Sequence, residues 1–80
     1  MGYHIKIKKG TLGQISKIQE ELDELSDAHS QNVKILILCE VADLVGAIQA
    51  YLDANFTGIT VHDAIKMAEL TKSAFIEGER

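Results

Sequence analysis

The stretch "VKILILCEVADLVGAIQAYL", residues 33–52, decides how this chain folds. It is long enough to cross a bilayer, but it carries Lys34, Glu40 and Asp43. Each of these costs roughly 2.5 to 3.5 kcal/mol near the centre of a spanning helix, which cancels several leucines. The stretch therefore reads as the buried helix of a soluble protein, running from about Val33 to Ala54 and roughly 33 Å long at 1.5 Å per residue. It is apolar on nearly every side, so it must be surrounded. Two neighbours in a chain of 80 residues cannot cover it all round. Helix two is accordingly expected at the centre of the bundle, with its free side against another subunit of a homo-oligomer, dimer or tetramer.

Upstream, Leu12, Ile15, Ile18, Leu22 and Leu25 recur every three or four residues and draw one apolar stripe, expected to face the core, along a first helix from Thr11 to about Ala28. Thr11 with Gln14 fits a capping box at its start. The polar turn "HSQN", residues 29–32, separates the two helices and offers Ser30 or Asn32 as the cap of helix two. Downstream, Thr60 with Asp63 marks a second capping box, and Val61, Ala64, Ile65, Ala68, Thr71 and Phe75 repeat at helical spacing in a third helix. At the other end, "GYHIKIKKG" alternates Tyr3, Ile5 and Ile7 with His4, Lys6 and Lys8, the pattern of a short half-buried strand or arm within residues 1–10. The chain has no proline and few aromatics. The fold class expected is all-α, one compact bundle of about three helices in a single domain spanning residues 1–80.

A net charge of −4 argues against nucleic acid or an anionic membrane as partner, since both are held by basic patches. Cys39 is the lone cysteine, which excludes an intrachain disulfide and suits a reducing, cytoplasmic setting. Residues 1–9 alternate charged with apolar side chains and present no signal-peptide core.

The acids carry the chemistry. Glu21 and Glu24 lie three apart on helix one, and Glu40 and Asp43 repeat that spacing on helix two, where an unpaired carboxylate inside an apolar run is expensive to bury. Fifteen residues separate Glu24 from Glu40, enough for an antiparallel return that sets the pairs face to face. Carboxylates about 5 Å apart repel by roughly 3 kcal/mol at an effective dielectric near 20, so four of them demand a counter-charge. Oxygen ligands without paired histidines favour Mg²⁺, with Mn²⁺ as the alternative, over zinc.

The pattern Glu20-Glu21-x-x-Glu24, a gap, then Glu40-x-x-Asp43 resembles the signature of MazG-like all-α nucleoside triphosphate pyrophosphohydrolases. "EELDELSDA" followed by "CEVADLVGAIQAYL" is similar to that family's helix pair, and the stretch to Arg80 to its third helix. The resemblance implies an enzyme that cleaves a (deoxy)nucleoside triphosphate to the monophosphate and pyrophosphate, with phosphoribosyl-ATP as the substrate of a related branch. It implies Glu21, Glu24, Glu40 and Asp43 as Mg²⁺ ligands and Glu20 as the catalytic group that orients or deprotonates the attacking water. Lys72 and Arg80, with Lys17 as the weaker third, would bind the phosphates, and a second subunit would complete the pocket. Where the family often carries an asparagine one turn beyond the third helix's lysine, this chain has Phe75 and Ile76, which leaves base and sugar recognition open.

Blander readings stand beside these. Glu20, Glu21 and Glu24 could form a solvated helix face, Glu40 and Asp43 could bridge to Lys34 or Lys17, and Lys72 and Arg80 could serve only a helix dipole. Cys39 reads as packing. The competing function is a non-catalytic helical oligomeric module whose acids solubilise it or bind a partner's basic patch.

Overall fold

The computed structural model describes residues 6–76, with the side chains of residues 6–72. Three helices follow in chain order: α1 (Ile15–Gln31), α2 (Lys34–Asn55) and α3 (Val61–Ile76). The chain is all-α, as its pattern predicts, and residues 6–10 carry no regular secondary structure. Tyr3 and Ile5, on which the strand expectation rests, lie outside the described residues.

α1 starts later than Thr11, because Gly13 adopts φ +91°, a left-handed conformation no helix continues through. The Gln14 amide donates to the Thr11 carbonyl (3.0 Å) and closes a turn. The amide of Thr11 goes to Ser16 Oγ (3.0 Å). Gln14 becomes the N-cap, in extended conformation and without a side-chain capping bond, so the Thr11–Gln14 box does not form. Asn32 also changes role. At φ 58° it is the left-handed C-cap of α1, its amide donating to His29 O, and Val33 precedes α2 without side-chain capping. Two residues thus join α1 to α2, and the chain doubles back so sharply that the helices lie antiparallel along one another.

The second capping box does form. Asp63 Oδ2 accepts from the Thr60 amide at 2.8 Å, and Thr60 Oγ1 accepts from the Asp63 amide at 3.3 Å. Gln49 Oε1 accepts from the Val61 amide at 2.9 Å and fastens the start of α3 to α2. α3 packs on α2 and does not reach α1, so α2 is central in order and in contact.

Burial runs opposite to the usual scheme. Among the described residues the buried ones are Glu20, Glu21, Glu24, Asp27 and Glu40 with only Ala28 and Ala47 beside them. Leu12, Ile15 and Leu22 of the α1 stripe are exposed, as are Ile35, Leu38, Val41 and Val45 of α2. Of the stripe expected to face the core, Ile18 and Leu25 are half-buried and the other three side chains point outward within one chain, and α2 is fully buried only at Glu40 and Ala47. The reason is geometric: Ala28 and Ala47 are the side chains small enough to let the two backbones approach, and the acids share their face. Cys39 is exposed rather than packed.

Replacing Thr60 with alanine removes one half of the α3 capping box. It is expected to lower stability by about 1 kcal/mol, read from the midpoint of urea denaturation followed by helical circular dichroism.

Candidate functional site

α1 delivers four acids to its inner face. Glu20, Glu24 and Asp27 are spaced four and three apart and so stack along one side, with Glu21 next to them. α2 answers with Glu40 and, one turn on, Asp43. Relative exposure is 3–8% for Glu20, Glu21, Glu24, Asp27 and Glu40, while Asp43 stands at the open rim.

Two triads emerge among the described residues. Glu20, Glu21 and Glu24 place one carboxylate oxygen each within 4.8 Å of one another, and Glu21, Glu40 and Asp43 do the same. Glu21 belongs to both and links the helices. In octahedral coordination at 2.0–2.1 Å, opposite ligand oxygens stand about 4.2 Å apart, so each triad is within a small side-chain adjustment of a Mg²⁺ coordination sphere. The donors are hard carboxylate oxygens without histidine or thiolate, which fits Mg²⁺ or Mn²⁺.

Crowding registers on Glu21. Burial first, then the neighbouring charges of Glu24, Asp43 and Glu20, push its carboxyl above the ordinary range, with Lys17 as the opposing influence. Glu20 behaves in the opposite sense. Its Oε1 accepts from the Gly10 amide at 2.8 Å and from Lys17 Nζ at 3.2 Å, and Lys9 Nζ stands 3.6 Å from Oε2. The Gly10 amide is the largest cause of a carboxyl lowered to about 2. A side chain on Gly10 would put its Cβ 2.2 Å from the Ser16 carbonyl oxygen, so only glycine lets residues 8–11 lie this close against α1. A carboxylate held that acidic aligns a water as an acceptor and is a weak base towards it.

The expected site residues thus divide. Glu20, Glu21, Glu24, Glu40 and Asp43 come together. Lys17 reaches them, pairing with Glu20 and with Glu21 Oε2 at 3.9 Å. Lys72 is exposed on α3, the helix that does not touch α1, and Arg80 lies outside the described residues. Asp27 is the acid the sequence reading passes over. It is buried and accepts from Gln31 Nε2 at 2.9 Å, and its signal was the four-and-three spacing behind Glu20 and Glu24. A cleft of about 490 Å³ opens beside the rim, with Lys17, Glu21 and Asp43 on its polar side and Leu12, Ala42 and Gly46 on the other. Nothing lies within 4 Å of where a Gly46 side chain would begin, so that wall is open. No family model, curated protein or solved structure matches this chain.

The two shifted carboxyls set an expected pH profile for the metal-free chain. Glu21 is raised, so its repulsion is present at neutral pH and is relieved as the pH falls through its folded value towards its ordinary 4.5. Glu20 is lowered, so its contribution is full above 4.5 and disappears as the pH falls to about 2. Thermal melts in EDTA should show the midpoint rising from pH 7.5 into mild acid and dropping below pH 4.5. Glu21→Gln should raise the midpoint at pH 7.5 and flatten the first limb; an unchanged first limb would show that Glu21 does not carry the crowding.

Proposed function

We propose that this chain is a Mg²⁺-dependent nucleotide pyrophosphohydrolase that cleaves a (deoxy)nucleoside triphosphate to the monophosphate and pyrophosphate. The observation that carries the reading is the sharing of Glu21 between two carboxylate triads, one buried on α1 and one spanning α1 and α2 and reaching the rim at Asp43. Five sequestered acids in so small a chain make little sense as a solvated face. Stability alone is better served by apolar groups of the same volume. The MazG-like spacing of the same acids supports the same chemistry.

Glu21, Glu24, Glu40 and Asp43 would hold the ion. Mg²⁺ bound there offsets the charge of the phosphates and lowers the pKa of a water. Glu20, fixed by the Gly10 amide and Lys17, accepts a hydrogen bond from the attacking water and aims it at the α-phosphorus. Lys17, at the edge of the cleft, is the cation placed to meet the phosphates. The open wall at Ala42 and Gly46 leaves room for the nucleoside. Lys72 and Arg80 remain phosphate candidates from the sequence resemblance.

A helical interaction module without catalysis is the second reading, favoured by the large exposed apolar side chains on α1, α2 and α3. Metal titration separates the two. At a hundredfold excess over its dissociation constant Mg²⁺ should stabilise the enzyme by about 2.7 kcal/mol, a rise of about 10 °C or more in the melting midpoint for a domain of this size. The module would be indifferent.

Incubation with a panel of triphosphates and Mg²⁺, with pyrophosphate measured separately from orthophosphate, tests the reaction. Glu40→Gln and Asp43→Asn should each lower pyrophosphate release by more than about 100-fold while leaving the helical circular dichroism intact. Release of orthophosphate alone, or turnover unchanged in both variants, would rule out the assignment.

A further inference from the structure

The chain ahead of α1 is folded back onto it. Residues 8–11 form a strap across the first turns of the helix, where the Gly10 amide donates to Glu20 Oε1 at 2.8 Å and the Thr11 amide to Ser16 Oγ at 3.0 Å. A Cβ at position 10 would meet the Ser16 carbonyl oxygen at 2.2 Å, so glycine there sets how closely the strap lies and where the residue before it is delivered. That residue is Lys9. Its Nζ stands 3.6 Å from Glu20 Oε2, while its side chain is 84% exposed.

Neutralising Glu20 is a poor account of Lys9. The hydrogen bonds from Gly10 and Lys17 both go to Oε1, so the carboxylate is anchored without it. At 3.6 Å Lys9 is within ion-pair range of Oε2 but beyond a direct hydrogen bond. On its outer side a hollow of about 210 Å³, shared with Lys8, Ser16, Gln19 and Asp23, gives the side chain room to turn. Lys17 is tied to Glu20 and Glu21 at the cleft edge, whereas Lys9 is placed by its backbone and keeps its ammonium group in solvent.

Glu20 is the group proposed to aim the water at the α-phosphorus. Attack and departure are in line: the water oxygen bonds to phosphorus as the bond to the bridging oxygen breaks, pyrophosphate leaves on the far side with the bonding electrons, and the surplus proton passes to solvent. Negative charge meanwhile spreads over the non-bridging oxygens, which ring the phosphorus between the two. A cation beside the attacking water reaches those oxygens and not the leaving group. We propose that Lys9 is a further catalytic residue, its ammonium group donating to the non-bridging oxygens of the α-phosphate as their charge develops; the assignment rests on the hydrolysis proposed above. In the chain without substrate, the same ammonium group waits beside Glu20 Oε2.

Steady-state pyrophosphate release by the full chain is the test, with Lys9→Gln and Lys9→Arg beside the native protein. Lys9→Gln should lower kcat about 100-fold and leave KM within about two-fold of native. Lys9→Arg, which keeps charge and reach, should recover most of that loss. Calorimetric titration with an α,β-methylene triphosphate, which cannot be cleaved at that bridge, should give both variants native affinity. A Glu20→Gln background separates the substrate from the carboxylate: a lysine acting on phosphate keeps its full cost there, and one acting only through Glu20 costs nothing further. The proposal is overturned if kcat is unchanged in Lys9→Gln, if KM alone rises, or if the Glu20→Gln background erases the effect. Should the native chain release no pyrophosphate at all, the hydrolysis itself falls and the role of Lys9 with it.

Discussion

Everything in this molecule is arranged around a repulsion. Five carboxylates are withdrawn from water in the joint between α1 and α2, against Ala28 and Ala47. Lys9 and Lys17 attend to Glu20, and Lys17 extends to Glu21. A chain this small has little stability to spare. An arrangement that spends it on like charges points to a role for those charges beyond holding the helices together.

The two ends of the acid row are handled differently. Glu20 is saturated with donors, from a backbone amide and two lysines, and is kept ionised. Glu21 sits where burial and its neighbours work against its charge. The contrast divides the labour within one helical turn: the first carboxylate is a fixed acceptor, and the second is the one with most to gain from a divalent cation. The site also explains why the apolar residues face outward. With Glu20, Glu21, Glu24, Asp27 and Glu40 in the buried positions beside Ala28 and Ala47, Leu12, Ile15, Leu22, Ile35, Leu38, Val41 and Val45 are left exposed, and Ile18, Leu25, Leu36, Ile37, Leu44 and Ile48 are half-buried.

The three helices and the acid pairs were legible in the sequence, because a 3.6-residue period and a three-residue spacing are local properties. Helix ends were less so. Thr11 and Gln14 have the composition of a capping box, but Gly13 turns left-handed between them, and Asn32 serves the end of α1 instead of the start of α2. The direction of the α1 stripe was the larger error. Leu12, Ile15 and Leu22 read as core on the assumption that apolar residues face the interior of their own chain, and periodicity identifies a face without saying what lies against it. Asp27 escaped for the same reason: its spacing behind Glu24 becomes informative only once that face is known to be the inner one. The Gly10 amide on Glu20 was beyond reach, since it joins residues ten apart through a turn whose shape no pattern encodes.

The link between α1 and α2 consists of Asn32 and Val33 alone, and with so little slack it works as a ruler. Each residue added to a helix rotates the remainder of that helix by roughly 100° and advances it by 1.5 Å. A chain lengthened by one position at the start of α2 could keep both helices and still swing Glu40 and Asp43 away from Glu21. The hairpin's brevity is thus as much a part of the acid constellation as any of its oxygens.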